Sequence, residues 1–226
     1  QRLSDTVEAT QNALWFLGGV VQTLDPDNLR AAVRKADRYE PEINDTFEDM
    51  AAHYRCVVMP ARGKKPRDKA LVEKSVDLVY KRVLAPLRHR RFTSLSELNA
   101  AMWEKLDELN AMPMQRSGQS RLERFVHIGQ DELAPLPAER YVLRWFRQAK
   151  VAMNYHVYLS DDKHYYSVPH RYHKRRVRIA ISYTTVEIYY NHERIATHRR
   201  DATAGGYSTK REHMPDHHRE YAEWSP

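Results

Sequence analysis

The sequence predicts an α/β core followed by a small antiparallel β-barrel domain, on three observations. Helical and strand patterns alternate up to about residue 110, apolar residues recur with a period of two beyond residue 150, and basic residues gather in two blocks. Alternating strands and helices build an α/β layer. A run of short period-two segments closes naturally as a barrel, which removes exposed edges. With 226 residues and 42% hydrophobic content the chain can build packed cores, and it is expected to divide at 1–92, 93–140, 141–204 and a tail at 205–226.

The first helix is expected to be capped by Ser4 or Asp5, with Val7, Leu14 and Leu17 at helical spacing and Gly18-Gly19 as its stop. A short strand over Val20 to Leu24 should run into the turn cluster Asp25-Pro26-Asp27-Asn28, which places Asp27 at the carboxyl end of a strand. Asn44 or Asp45 opens a second helix to about Tyr54, and Cys56 to Met59 is the next strand. A third helix from Pro66 carries Val72, Val76, Val79 and Val83 as its buried stripe. A fourth begins at the capping box Ser94 to Glu97 and runs through Leu98, Met102, Leu106 and Leu109. From Met112 to about Arg140, Pro113, Gly118, Pro135 and Pro137 interrupt the pattern, and the segment reads as a linker. Beyond it, Val151 to Leu159, Tyr166 with Val168, Val177 to Ile181 and Val186 to Tyr190 alternate as strands.

The lone cysteine excludes an internal disulfide framework and reads as a buried thiol in an intracellular protein. No apolar run approaches the roughly 18 residues that span a bilayer. The chain opens without Met, almost directly into a helix, so an N-terminal portion is expected to be missing. The net charge of +7 is unevenly placed: residues 62–91 carry 11 Lys and Arg against 3 acids, and residues 170–211 carry 10 against 3. Two basic blocks in an otherwise acidic chain point to a polyanion, because cations that neutralise phosphates release condensed counterions. Lys64, Lys65, Arg67 and Lys69 in the first block, and Lys174, Arg175, Arg176 and Arg178 in the second, are the candidate phosphate contacts. The plainer alternative is a solvated basic surface.

Asp27 and Glu73 are the candidate site. Asp27 ends a strand, the usual place for a site in an α/β core. Glu73 lies on the helix face opposite the valine stripe, so it is free to face that strand end. Two carboxylates converging there need a cation, and oxygen-only ligands suit magnesium or manganese. Taken alone the pair is weak, since Asp after a strand is commonly a turn residue and Glu on a basic helix an ion-pair partner. Asp25, Asp68 and Asp77 are rivals. Twelve histidines lack a second ligand pair at zinc spacing. The tyrosines of the period-two region read mostly as core, and Trp15, Trp103, Trp145 and Phe146 as core or interface anchors.

Pro26-Asp27-Asn28-Leu29, Asp49 to Tyr54, Pro60-Ala61-Arg62, Lys65-Pro66-Arg67-Asp68-Lys69 and Val72-Glu73 together resemble the catalytic core of IstA-type insertion-sequence transposases. These belong to the DDE group, with a ribonuclease-H-like fold shared with retroviral integrases. The likeness continues through Leu95, Leu98-Asn99, Pro135-Leu136-Pro137, Tyr155-His156-Val157, Tyr165 to Pro169 and His213-Met214-Pro215. It implies that Asp27 and Glu73 are the second and third acidic ligands of a partial core with an added helix, that the first lies upstream of Gln1, and that Asn28 positions a ligand or DNA. A segment lacking the first aspartate is expected to be inactive by itself. The resemblance further implies metal-dependent 3′-end cleavage and strand transfer in the bacterial cytoplasm. Its partners would be double-stranded element ends and target DNA, a homo-multimer, and an IstB-type AAA+ ATPase helper. Two rival readings are an architectural DNA-binding or assembly module without catalysis, and a ribonuclease-H-like nuclease without strand transfer.

Overall fold

The computed structural model describes residues 2–26, 33–35, 42–59, 66–115 and 117–215. Contacts divide the chain into two units, Gln1–Arg140 and Tyr141–Pro226.

In the first unit, helix α1 (Leu3–Leu17) starts two or three residues earlier than its cap signal suggests. Arg2 is the N-cap, and Asp5 sits in the first turn where its carboxylate accepts from the Arg2 N–H at 3.4 Å. Gly18, at φ 75°, ends the helix in the left-handed conformation that glycine adopts without strain. Gly19 is required for a different reason: a Cβ there would lie 2.6 Å from the Leu133 Cβ. That close approach lets Val20 exchange backbone hydrogen bonds of 2.8 and 2.9 Å with Ala134. Strand β1 (Thr23–Leu24) follows, then β2 (Val33–Lys35) and β3 (Glu42–Ile43), an antiparallel pair. Helix α2 (Asp45–Tyr54) is capped by the Asn44 side chain, which accepts from the Thr46 N–H at 3.0 Å. Strand β4 (Val57–Val58) pairs parallel with β1, Thr23 opposite Val57. Val7, Leu14, Val20, Phe47, Met50 and Tyr54 are buried. The Tyr54 hydroxyl donates to Gln11 at 2.8 Å, so the polar groups near this core are satisfied. Cys56 is buried as expected, which pushes its thiol pKa up.

Helix α3 (Pro66–Val79) departs from expectation. Val72 and Val76 are more than 60% exposed, and only Val83 of the valine stripe is buried. Periodicity fixes which residues share a face, but tertiary packing decides whether that face is covered. A π-helical turn at Tyr80–Leu84 leads into α4 (Ala85–Leu87), with the Ala85 N–H bonded to the Tyr80 carbonyl. Pro86 explains it, because a proline cannot donate the helical bond and crowds the preceding turn. Helix α5 (Leu95–Ala111) is capped by the Ser94 hydroxyl, which accepts from the Glu97 N–H at 3.1 Å. The expected linker holds further structure. A reciprocal capping box between Ser120 and Glu123 starts α6 (Arg121–Arg124), and a second π-helical turn spans Phe125–Gly129.

The second unit begins with β5 (Trp145–Lys150), which the sequence reading placed too late. The alternation from Val151 to Leu159 is interrupted: Met153 is 70% exposed, Tyr155 takes φ 53°, and only His156–Leu159 form a strand, β6. Next come β7 (His164–Ser167), β8 (Arg176–Ile181), β9 (Thr185–Tyr190), β10 (Glu193–Arg199) and β11 (Tyr207–Ser208). They form a four-stranded antiparallel sheet, β10-β9-β8-β5, and a three-stranded sheet, β11-β7-β6, in which β11 runs parallel to β7. No closed barrel forms among the described strands. Tyr155 turns the chain sharply between β5 and β6, and the short β6, β7 and β11 make a separate sheet. One core joins the two sheets, with Val157, Leu159, Tyr166 and Val168 from one meeting Val177, Ile179, Ile181, Val186 and Ile188 from the other. The segment predicted as a tail from Gly205 is part of this packing as far as Met214: β11 pairs with β7, and His213 is 3% exposed.

Candidate functional site

Asp27 follows Pro26, three residues beyond the end of β1, but Asp27, Asn28, Lys64 and Lys65 lie outside the described residues. Arg67 and Lys69 sit in the first turn of α3, with their side chains also outside the description. Glu73 is exposed on α3 and makes no ion pair among the described residues. The parallel register of β1 and β4, with the Val57 N–H on Gln22 at 2.9 Å and the Met59 N–H on Leu24 at 2.8 Å, orders the backbone up to the turn that precedes Asp27. Among the described residues no three His, Cys, Asp or Glu side chains group as a metal site.

The second basic block resolves into a surface. Along β8, Val177, Ile179 and Ile181 are buried while Arg176 and Arg178 are exposed, as strand alternation requires. Lys150 and Gln148 of β5 stand opposite Arg176 and Arg178, and Tyr189 of β9 stands on the other side of Arg178. The Arg178 guanidinium lies 4.1 Å from the centre of the Phe146 ring, which fixes its orientation over an aromatic face. Lys174 and Arg175 are exposed on the turn that leads into β8, and Lys174 takes φ 61°. The sheet face thus carries Lys150, Arg176, Arg178 and Arg194. Its one carboxylate is Glu187, held by Arg194 at 2.7 Å, Arg144 at 3.1 Å and the Tyr189 hydroxyl at 3.0 Å. Burial pushes the Glu187 carboxyl up, but those donors outweigh it and hold it below the usual range. Such a surface suits backbone phosphates, which take charge and hydrogen bonds without reading sequence.

Four buried histidines of this unit are structural pins. His164 uses both ring nitrogens, to the Thr203 carbonyl at 2.8 Å and the Ser208 hydroxyl at 2.9 Å. His156 meets Thr209 at 2.8 Å, His198 meets the Ser167 carbonyl at 2.7 Å, and His213 meets the Ser167 hydroxyl at 2.8 Å. Burial holds His156 and His198 below the ordinary histidine pKa, and burial with the neighbouring His198 lowers His213 to about 4. Beside them Asp162, 5% exposed, takes a bidentate contact from Arg200, with nitrogen–oxygen distances of 2.7 and 3.0 Å. No sequence signal marked this ion pair, because one Asp in a turn and one Arg in a basic run look like surface residues.

Comparisons with known proteins bear on what the surface serves. The family described as Mu transposase, C-terminal domain, matches residues 136–210. A putative transposase for insertion sequence IS408 from Burkholderia multivorans is 42% identical over 226 residues, spanning 100% of this chain and 43% of the relative. Putative transposase y4uI from Sinorhizobium fredii is 41% identical over 227 residues, 100% of this chain and 44% of its own length. The transposase for insertion sequence element IS21 from Pseudomonas aeruginosa is 27% identical over 219 residues, 96% of this chain and 54% of the relative. The chain therefore spans less than half the length of the first two. No described helix is long and apolar enough to cross a membrane.

Proposed function

We propose that the chain is part of an IstA-type insertion-sequence transposase, and that it contributes Asp27 and Glu73 as two of the three acidic ligands of a DDE site and the β8 face as a DNA-backbone contact. The observation that carries this reading is the likeness of the whole chain to insertion-sequence transposases, taken with the sequence motifs Pro26-Asp27-Asn28-Leu29 and Val72-Glu73, which resemble the family's catalytic core. The parallel β1–β4 pair and the exposed Glu73, unpaired among the described residues, are compatible with a ribonuclease-H-like core.

In this reading Asp27 and Glu73 hold magnesium or manganese through oxygen ligands, a donor set suited to hard cations. When bound, paired ions supply charge neutralisation for in-line displacement at phosphorus. Asn28 orients a ligand or the strand beside Asp27. Lys64, Lys65, Arg67 and Lys69 grip phosphates entering the site, and Lys174, Arg175, Arg176 and Arg178 hold DNA at the second unit. The reactions are cleavage at the element's 3′ ends and their joining to target DNA. They take place in the bacterial cytoplasm, in a homo-multimer assisted by an IstB-type AAA+ ATPase. The chain's organisation is the partial core at 1–92, helix and connector at 93–140, and the basic β domain from 141.

The test uses the full-length transposase with paired element ends and magnesium, comparing wild type with Asp27→Asn and Glu73→Gln. Both variants should bind DNA normally and lose cleavage and joining. Wild-type joining in both would overturn the assignment and favour the architectural module.

A further inference from the structure

Two surfaces of the first unit complement one another and cannot meet within one copy. The first is a cleft of about 730 Å³ lined by Leu78, Arg82, Met112, Met114, Arg121 and Arg124. The helices on both sides carry π-helical turns, Tyr80–Leu84 and Phe125–Gly129, irregularities that recur at functional positions. Arg121 is anchored to the Leu109 carbonyl at 3.2 Å, whereas Arg82 and Arg124 are exposed and have no acidic partner among the described residues. Methionine and arginine around an apolar floor are the composition of protein–protein contacts, and methionine adapts its shape to an incoming side chain. Arg82 follows Glu73 by nine positions, which at 3.6 residues per turn places it on about the opposite side of the helix.

The second surface is the exposed aromatic pair Phe16 and Trp103, 53% and 49% accessible, with ring centroids 5.2 Å apart. On α5, Asp107 lies one turn beyond Trp103 on the same stripe and Glu104 beside it. Both acids are exposed and unpaired among the described residues. Large aromatics ringed by charge are the usual anchors of an interface. Trp103 and Leu109 are six positions apart on α5, so the pair and the cleft open on different sides of the same helix.

We propose that the occupant of the cleft is a second copy of this chain, which inserts Phe16 and Trp103 onto the methionine floor and sets Glu104 and Asp107 against Arg82 and Arg124. Taken reciprocally, each copy offers its aromatic pair to the other's cleft, which closes as a two-fold dimer rather than an open filament. The inference rests on the multimeric part of the reading above and is independent of its chemistry.

Sedimentation velocity of the 226-residue chain tests it through two charge reversals, Arg82→Glu with Arg124→Glu, and Glu104→Lys with Asp107→Lys. Neither pair includes a residue with a side-chain hydrogen bond among the described residues, and circular dichroism checks that each variant is folded. The wild type should dimerise, and each variant alone should self-associate at least roughly tenfold more weakly, since like charges then face each other in both contacts. An equimolar mixture should regain the dimer, because in the mixed pair both contacts again join opposite charges. A mixture that stays monomeric, or dimerisation unchanged in either variant, overturns the surface while leaving multimers possible through another one. A wild type that is monomeric at its highest soluble concentration overturns the multimeric reading of this segment as well. A cleft variant that keeps the dimer but loses affinity for duplex DNA overturns the protein occupant in favour of nucleic acid.

Discussion

Acidification should loosen the second unit through His213. Its ring is packed against His198, with centroids 5.7 Å apart, and bonded to the Ser167 hydroxyl, while Glu212 at 3.8 Å is the nearest acid and Lys210 a nearby cation. Because its folded pKa is depressed from 6.5 to about 4, the unfolded chain binds the proton first as pH falls. The stabilisation is therefore complete above about pH 6.5 and is lost progressively toward pH 4. At about 1.4 kcal/mol per pH unit the whole window is worth about 3 kcal/mol, of which about 2 is gone by pH 5. Relaxation and water entry around the protonated ring reduce the loss at pH 5 to about 1 kcal/mol. For a unit of this size that is a fall of roughly 4–8 °C in melting midpoint between pH 7.5 and 5. His156 and His198, whose pKa values burial also depresses, act in the same direction. Differential scanning calorimetry of the chain at the two pH values, wild type against His213→Gln, isolates the contribution. Glutamine can keep a bond to Ser167 without titrating, so the variant should start lower and lose less. Equal losses in the two proteins would refute the assignment to His213.

Two further outcomes follow from the same unit. Replacing Arg176 and Arg178 with alanine should weaken binding to duplexes of any sequence and reduce the log–log salt slope by about 2; fluorescence anisotropy across a salt series measures both, and an unchanged slope removes the β8 face from the DNA interface. Tyr166→Phe removes a buried hydroxyl that donates to the Asp201 carbonyl at 2.8 Å and accepts from its N–H at 2.9 Å. Urea denaturation should show a loss of about 1–3 kcal/mol, and a change under about 0.5 kcal/mol would mean that water replaces the hydroxyl there.

What the sequence made legible was local. The Asn44 cap, the Ser94 cap and the Gly18 stop depend on a few neighbouring residues, and each occurs where those residues predict. The alternation over β8 and β9 identified the inward set correctly for the same reason. Failures came where a distant partner decides. The valines of α3 have helical spacing whether or not anything covers them, so exposure of Val72 and Val76 was invisible. The period-two run from Val151 to Leu159 hid a turn, since Tyr155 carries no glycine-like signal for its positive φ. The Ser120–Glu123 capping box was readable but lay inside a segment whose prolines dominated the pattern.

The candidate site divides along the same line. Basic residues on an alternating strand announce their own exposure, because the buried valine or isoleucine at each intervening position fixes the pleat; Arg176 and Arg178 could be placed outward from their neighbours alone. A metal-binding carboxylate has no such neighbours. Asp27 after a proline has the local signature of a turn residue, and Glu73 on a basic helix that of an ion-pair partner. What separates ligand from turn residue is the convergence of elements far apart in the chain, so only several collinear motifs matched together raise Asp27 above Asp25, or Glu73 above Asp77. On α3 itself Asp77 is ion-paired to Lys81 at 2.7 Å, one turn along the helix, and Glu73 makes no ion pair among the described residues.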